Sequence, residues 1–239
     1  MPTALMLAAE EGISVNGPLV VKSFNIGGIT INLTESIIVQ WFVIAILLVV
    51  VLVLTRNLKL VPETKRQAAA EMIVEFFRNT VDGTMGTKYK AYHSYIAALF
   101  CFIMINNLMG LLGLRNPTAD VSVTGAFAII TFFLVQYNKG KTGKFKGYMK
   151  SFVEPLPFML PFNIIGEFAN PLSLTLRLFG NIMSGTILMG LIYGLLPTAL
   201  TVGIPAVIHV YCDIFSGAIQ TYVFCMLTMV YINDKIADD

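Results

Sequence analysis

Residues 162–193 read FNIIGEFANPLSLTLRLFGNIMSGTILMGLIY, with only two charges among them, Glu167 and Arg177. About 20 apolar residues cross the hydrocarbon of a bilayer, so this stretch predicts a membrane helix that carries a guanidinium near its middle. Its polar residues follow a pattern. Counted from Arg177, Asn163, Glu167, Asn170 and Ser173 lie 14, 10, 7 and 4 positions before it, and Asn181 and Ser184 lie 4 and 7 after it. All these offsets fall on one face of a helix. An arginine at mid-helix costs roughly 2.5–3.5 kcal/mol to insert, and because a guanidinium stays protonated in proteins it cannot escape by losing its proton. It therefore needs a partner charge or a path lined with water.

Working outward, the last apolar stretch repeats the device. His209, Asp213, Ser216 and Gln220 are spaced at 0, 4, 7 and 11, again one helical face. Two polar stripes on two consecutive helices either face each other across an antiparallel hairpin or face a shared partner. The plain structural reading is a buried Arg–Asp pair that pins the two helices. The functional one is an ion pathway, favoured because intramembrane ionisable residues usually mark such paths and because one pair does not need a whole line of amides and hydroxyls.

The remainder of the chain fits a membrane protein. Of its 239 residues 56% are hydrophobic and 13% charged, against about 25% charged in ordinary globular domains. No charge falls between Glu35 and Arg56, between Lys90 and Arg115, or between Asp120 and Lys139. Each gap is close to or above the length of a span. The expected architecture is all-α and polytopic: five membrane helices at about 37–54, 92–114, 121–138, 162–193 and 201–232. The two long C-terminal helices are expected to be tilted and to form a hairpin. Residues 1–35 read as a polar N-terminal segment, and 36–239 as a single membrane domain. Residues 67–82 place Ala69, Met72, Ile73, Phe76, Phe77, Thr80 and Val81 at helical spacing, with Glu71, Glu75, Arg78, Asn79 and Asp82 opposite. This predicts an amphipathic helix at the interface; a linker helix packed on another protein is the alternative.

Basic residues set the expected orientation. Arg56, Lys59, Lys65 and Arg66 follow the first span, and Lys139, Lys141, Lys144, Lys146 and Lys150 form a basic loop after the third. Both flanks read as cytoplasmic, which puts the N-terminus outside and, after five spans, the C-terminus inside. The N-terminus, with Glu10 and Glu11 and no early Lys or Arg, does not read as a secretory signal. The small net charge of +2 does not point to nucleic acid. Cys101, Cys212 and Cys225 stand singly in apolar stretches and read as buried hydrophobes, neither metal ligands nor a disulfide framework.

The run Ser173-Leu-Thr-Leu-Arg177-Leu-Phe-Gly-Asn181 closely resembles the signature of subunit a of the rotary F-type ATP synthases. Asn107-Leu-Met-Gly-Leu, Pro117-Thr-Ala-Asp-Val-Ser-Val-Thr124, and Gln220 with Val223-Phe-Cys-Met-Leu-Thr-Met-Val-Tyr231 resemble other motifs of that family. The resemblance implies an ion-translocating stator subunit in a bacterial plasma membrane. It implies three sets of partners: a rotating proteolipid ring of c subunits, the peripheral-stalk b subunits and the rest of the complex. Arg177 is then the essential arginine opposite the ring carboxylates. Asp213, Glu167, Gln220, Asn181, His209, Ser173, Asn170, Asn163 and Ser184 line two aqueous half-channels. The family often has a glutamate nine residues after the arginine and a histidine in the last helix, or the two exchanged. Here those positions carry Thr186 and Asp213. Asp213 is therefore expected as the main acidic relay and Glu167 as a group in the cytoplasmic path, while His209 is open between relay and packing roles. Whether protons or sodium ions are carried is left open, because in that family the ring sets selectivity.

Two other classes compete. An ion-coupled secondary transporter also holds intramembrane charges, but such proteins usually show paired repeats and broken helices. A membrane enzyme is disfavoured because the chain has no HExxH, GxSxG or glycine-rich phosphate loop. No cofactor or metal is expected.

Overall fold

The computed structural model describes residues 19–26, 29–59, 64–87, 89–153, 158, 160–195, 207–208 and 210–234. Over these the chain is mostly helical. A two-stranded antiparallel hairpin, β1 (Val20–Ile26) and β2 (Ile29–Thr34), precedes the helices. It gives the segment before the first span a structure that its polar, Gly- and Asn-dotted composition does not announce. Then come α1 (Glu35–Thr55), α2 (Lys65–Met85), α3 (Ala91–Leu108), α4 (Val121–Val153), α5 (Leu160–Leu195) and α6 (Gly217–Asp234). A π-helical turn, Val210–Ser216, leads into α6.

Among the described residues five segments are long and apolar enough to cross a membrane: Glu35–Thr55, Ala91–Leu112, Val121–Gly140, Leu160–Ile192 and Val210–Asn233. α1 has 21 residues, about 31 Å at 1.5 Å per residue and matched to a hydrocarbon core of about 30 Å. Its buried contacts with the bundle lie toward its start. Val39 and Val43 are buried with Met109, beside Phe102 and Ile105, whereas Val49 to Val53 are exposed. Gln67 stitches the chain that leaves α1 to the start of α2: its amide donates to the Lys59 carbonyl at 2.6 Å and accepts from the Lys59 N–H at 3.1 Å. The amphipathic α2 buries Phe77, Val81 and Met85 and leaves Met72, Ile73, Val74 and Phe76 exposed. The opposite end of α2 is tied to α3 by Asp82 and His93, whose Oδ1 and Nε2 lie 2.8 Å apart.

The main core joins Ile96, Leu99 and Ile103 of α3, Ala128 and Val135 of α4, Leu174 and Leu178 of α5, and Phe224, Met229 and Ile232 of α6. The α3–α4 connection is compact. Gly113 takes a positive φ of 73° after the 3₁₀ turn Met109–Leu112, and Pro117 opens the next, Pro117–Ala119. Asp120 then receives the first N–H groups of α4, Ser122 at its side chain and Val123 and Thr124 at its carbonyl.

The basic stretch 139–150, expected as a loop, is helical and continues α4 without a break. Lysine is a good helix former, and extending an existing helix gains a hydrogen bond for each residue ordered. Spaced glycines (140, 143, 147) therefore weaken the helix without ending it. At the other end of the chain, residues 196–206 and His209 fall outside the described residues, so the expected start of the last helix near 201 and the role of His209 do too.

Candidate functional site

α5 has 36 residues, about 54 Å at the helical rise, well beyond a bilayer core of about 30 Å. Its polar stripe is an arc rather than a line. At about 100° per residue, Glu167 sits roughly 80° and Asn163 and Asn181 roughly 40° to one side of Arg177, while Ser173 and Ser184 lie to the other. Burial follows the arc. Glu167 is buried, Asn163, Asn170 and Asn181 are half-buried, and Ser173, Arg177 and Ser184 are exposed.

On the buried margin Glu167 meets α4. Gln136 donates to its Oε1 at 2.7 Å, and the Lys139 ammonium stands 3.7 Å from its Oε2. Both charged side chains are about 8% exposed. Pro171, inside α5, lacks the N–H that would bond the Glu167 carbonyl one turn back. A cavity of about 20 Å³, lined by Thr131, Glu167, Asn170 and Tyr231 among others, adjoins the pair. That is room for one water molecule.

Farther along, the two stripes meet. Asn181 donates to Gln220 Oε1 at 3.3 Å and accepts from the Ser216 hydroxyl at 3.2 Å. Ser184 and Thr186 turn their hydroxyls back to the carbonyls of Asn181 and Ile182. Asp213 lies in the π-helical turn, a local rewinding often found at functional sites. Its carboxylate lies against Gly110: a Cβ built there would meet Asp213 Oδ2 at 3.0 Å and the Asn116 side-chain amide at 2.9 Å. No ion pair joins Arg177 to Asp213, and among the described residues no carboxylate or hydrogen-bond acceptor reaches the Arg177 guanidinium. The expected alternative of a pinning Arg–Asp pair is therefore absent there.

A second polar knot braces this end. Asn107 of α3, fully buried, donates to the Gly217 carbonyl at 3.2 Å and to Thr221 Oγ1 at 3.1 Å, and accepts from the Thr118 hydroxyl at 2.7 Å. Asn107, Gly110, Asn116, Gln136 and Lys139 all touch the site but belong to neither polar stripe. Gln136 and Lys139, three apart and on one face, carry a usable signal in the sequence, but a lysine at the end of a span reads first as an interface charge.

Arg177 thus lies exposed within a segment long and apolar enough to cross a membrane, with no acceptor among the described residues. Beside it lie one group of amides and hydroxyls and two acidic groups on separate paths. Comparison with known proteins gives a consistent result. The family model described as ATP synthase A chain matches residues 37–233. The chain is similar to "ATP synthase subunit a, sodium ion specific" of Propionigenium modestum, 38% identical over 221 residues, covering 86% of this chain and 75% of that protein. It is 38% identical over 234 residues to ATP synthase subunit a of Bacillus subtilis (strain 168), covering 89% and 95%. Against the same subunit of Moorella thermoacetica the identity is 34% over 217 residues, covering 90% and 96%.

Proposed function

The chain belongs to the ATP synthase A chain family, a membrane subunit of an ion-transporting ATP synthase, and from that premise we propose that Arg177 faces the carboxylates of a rotating proteolipid ring. The observation that carries the proposal is the guanidinium itself, exposed on α5 and without an acceptor among the described residues. A fixed cation favours the ionised form of a passing carboxylate, so each ring site gives up its ion before it passes Arg177. The same charge bars ions from crossing directly between two half-channels. Each ion that moves down the membrane potential releases about 2.3 kcal/mol per 100 mV.

The half-channels run along the two margins of the site. Asp213, with Asn116 beside it, serves the outer path, and the cluster of Asn181, Ser216 and Gln220 leads from there toward the ring. Glu167, with Asn163 and Asn170, serves the cytoplasmic path, where Lys139 balances its charge. Ser173 and Ser184 flank Arg177 on the exposed side. The N-terminus lies outside and the C-terminus in the cytoplasm of a bacterial cell, as the lysine-rich flanks require, and peripheral-stalk b subunits hold the chain against the ring. Family membership leaves no support for the secondary-transporter alternative.

Arg177→Ala in the assembled complex tests this reading. Ion-driven ATP synthesis and ATP-driven pumping are both expected to vanish while the complex still assembles. Coupled transport at the wild-type rate would overturn the reading.

A further inference from the structure

The splay of α1 leaves an apolar groove of about 610 Å³ between α1, α2 and α3, walled by Leu48, Val51, Ile73, Phe77, Ala97 and Cys101 among others. Only Thr55, His93 and Ser94 in its lining carry polar side chains, too few to hold a body of water, since each buried water needs two to four polar partners. At the Thr55 end the groove adjoins a second cavity of about 700 Å³, with which it shares Thr55, Ala70 and Val74. That second cavity carries charge of both signs, Lys59 and Arg78 against Glu71, Glu75 and Asp82.

We propose that the two cavities together hold one phospholipid whose head group bears both a phosphate and an ammonium. One acyl chain lies in the groove, and the head group sits among the charges at the mouth. Size and shape favour this occupant over a transmembrane helix of another subunit. From Ile44 to Thr55 the groove runs about 16 Å along α1, one leaflet of a core about 30 Å thick, whereas a partner helix would cross both leaflets. The mouth supplies the matching chemistry. The Arg78 side chain is 65% exposed and only loosely associated with Asp82, at 3.9 Å, so it is available to a phosphate, and Glu71 and Glu75 offer acceptors to an ammonium.

The test uses the assembled complex in nanodiscs doped with phosphatidylethanolamine carrying a photoreactive acyl chain, with adducts mapped by mass spectrometry. Adducts are expected on the α3 peptide containing Cys101 and on the facing part of α1, in excess of those on the outward face of α1. Labelling by a phosphatidylglycerol probe, which lacks the ammonium, should be lower by about fivefold. Glu75→Gln, a surface change that spares the groove, should abolish that head-group preference. Ala98→Trp, which fills the groove, should remove the Cys101-region adduct. Even labelling around α1 would overturn the proposal, as would equal labelling by both head groups. So would cross-linking of Cys101 to a helix of another subunit with no lipid adduct.

Discussion

Replacing Asn107 by alanine removes three hydrogen bonds at once and tests how the site is held. In the native chain its amide donates to Gly217 and Thr221 of α6, and its carbonyl oxygen accepts from Thr118 in the α3–α4 connection. Asn107, Thr118 and Thr221 are all fully buried. Gly217 lets the helices approach so closely that a Cβ there would stand 3.2 Å from Asn107 Cβ. Thr221 keeps its own bond to the Gly217 carbonyl at 2.8 Å, so the group most exposed to loss is the Thr118 hydroxyl. Side-chain hydrogen bonds within membranes average about 0.6 kcal/mol, with a ceiling near 1.7, which makes the three bonds worth about 2 kcal/mol. An orphaned buried hydroxyl adds about 1–3 kcal/mol, bringing the expected loss to about 3–5 kcal/mol. Unfolding of the purified complex in a series of SDS concentrations measures it, and a double-mutant cycle with Thr221→Ala isolates the pair. Because the knot sets where α6 starts, ATP-driven pumping is expected to fall along with stability. A change below about 0.5 kcal/mol, within the ordinary scatter of surface substitutions, would refute the bracing role. So would strict additivity in the cycle.

Three further substitutions probe neighbouring features. Gly110→Ala places a methyl 2.9–3.0 Å from the Asn116 amide and the Asp213 carboxylate. It should slow coupled ATP synthesis by displacing Asp213 while leaving the amount of assembled complex unchanged, and a wild-type rate would count against Asp213 in the outer path. Lys139→Met takes the ammonium from beside the buried Glu167 carboxylate, which keeps its hydrogen bond from Gln136, and should cost about 3–5 kcal/mol, most of it recovered when Glu167→Gln is added; SDS unfolding of the single and double variants decides. Gln67→Ala frees the Lys59 backbone from its two hydrogen bonds and should lower stability by about 1–3 kcal/mol, with faster proteolysis between α1 and α2 as the independent sign.

The uncharged gaps and the helical spacing of polar residues make the five spans and the α5 stripe legible in the amino-acid order alone, because both depend only on local composition and the 3.6-residue period. The basic run after Lys139 misleads, since lysine and glycine describe a loop and a helix extension equally well until the preceding span supplies the nucleus. What stays hidden are facts of packing between helices. Periodicity shows that Glu167 and Arg177 share a face. It does not say that a turn of roughly 80° carries one into contact with α4 and leaves the other on the outer surface of the chain. The π-helical turn at Asp213 is invisible for a similar reason: a spacing of 0, 4, 7 and 11 assumes an uninterrupted α-helix, and one extra residue per turn re-aims the carboxylate toward Gly110 and Asn116. The same division separates the two charges chemically. Glu167, enclosed with Lys139, has its charge compensated inside the chain. Arg177 has no such partner among the described residues, and that difference is what the proposed role opposite a ring carboxylate rests on.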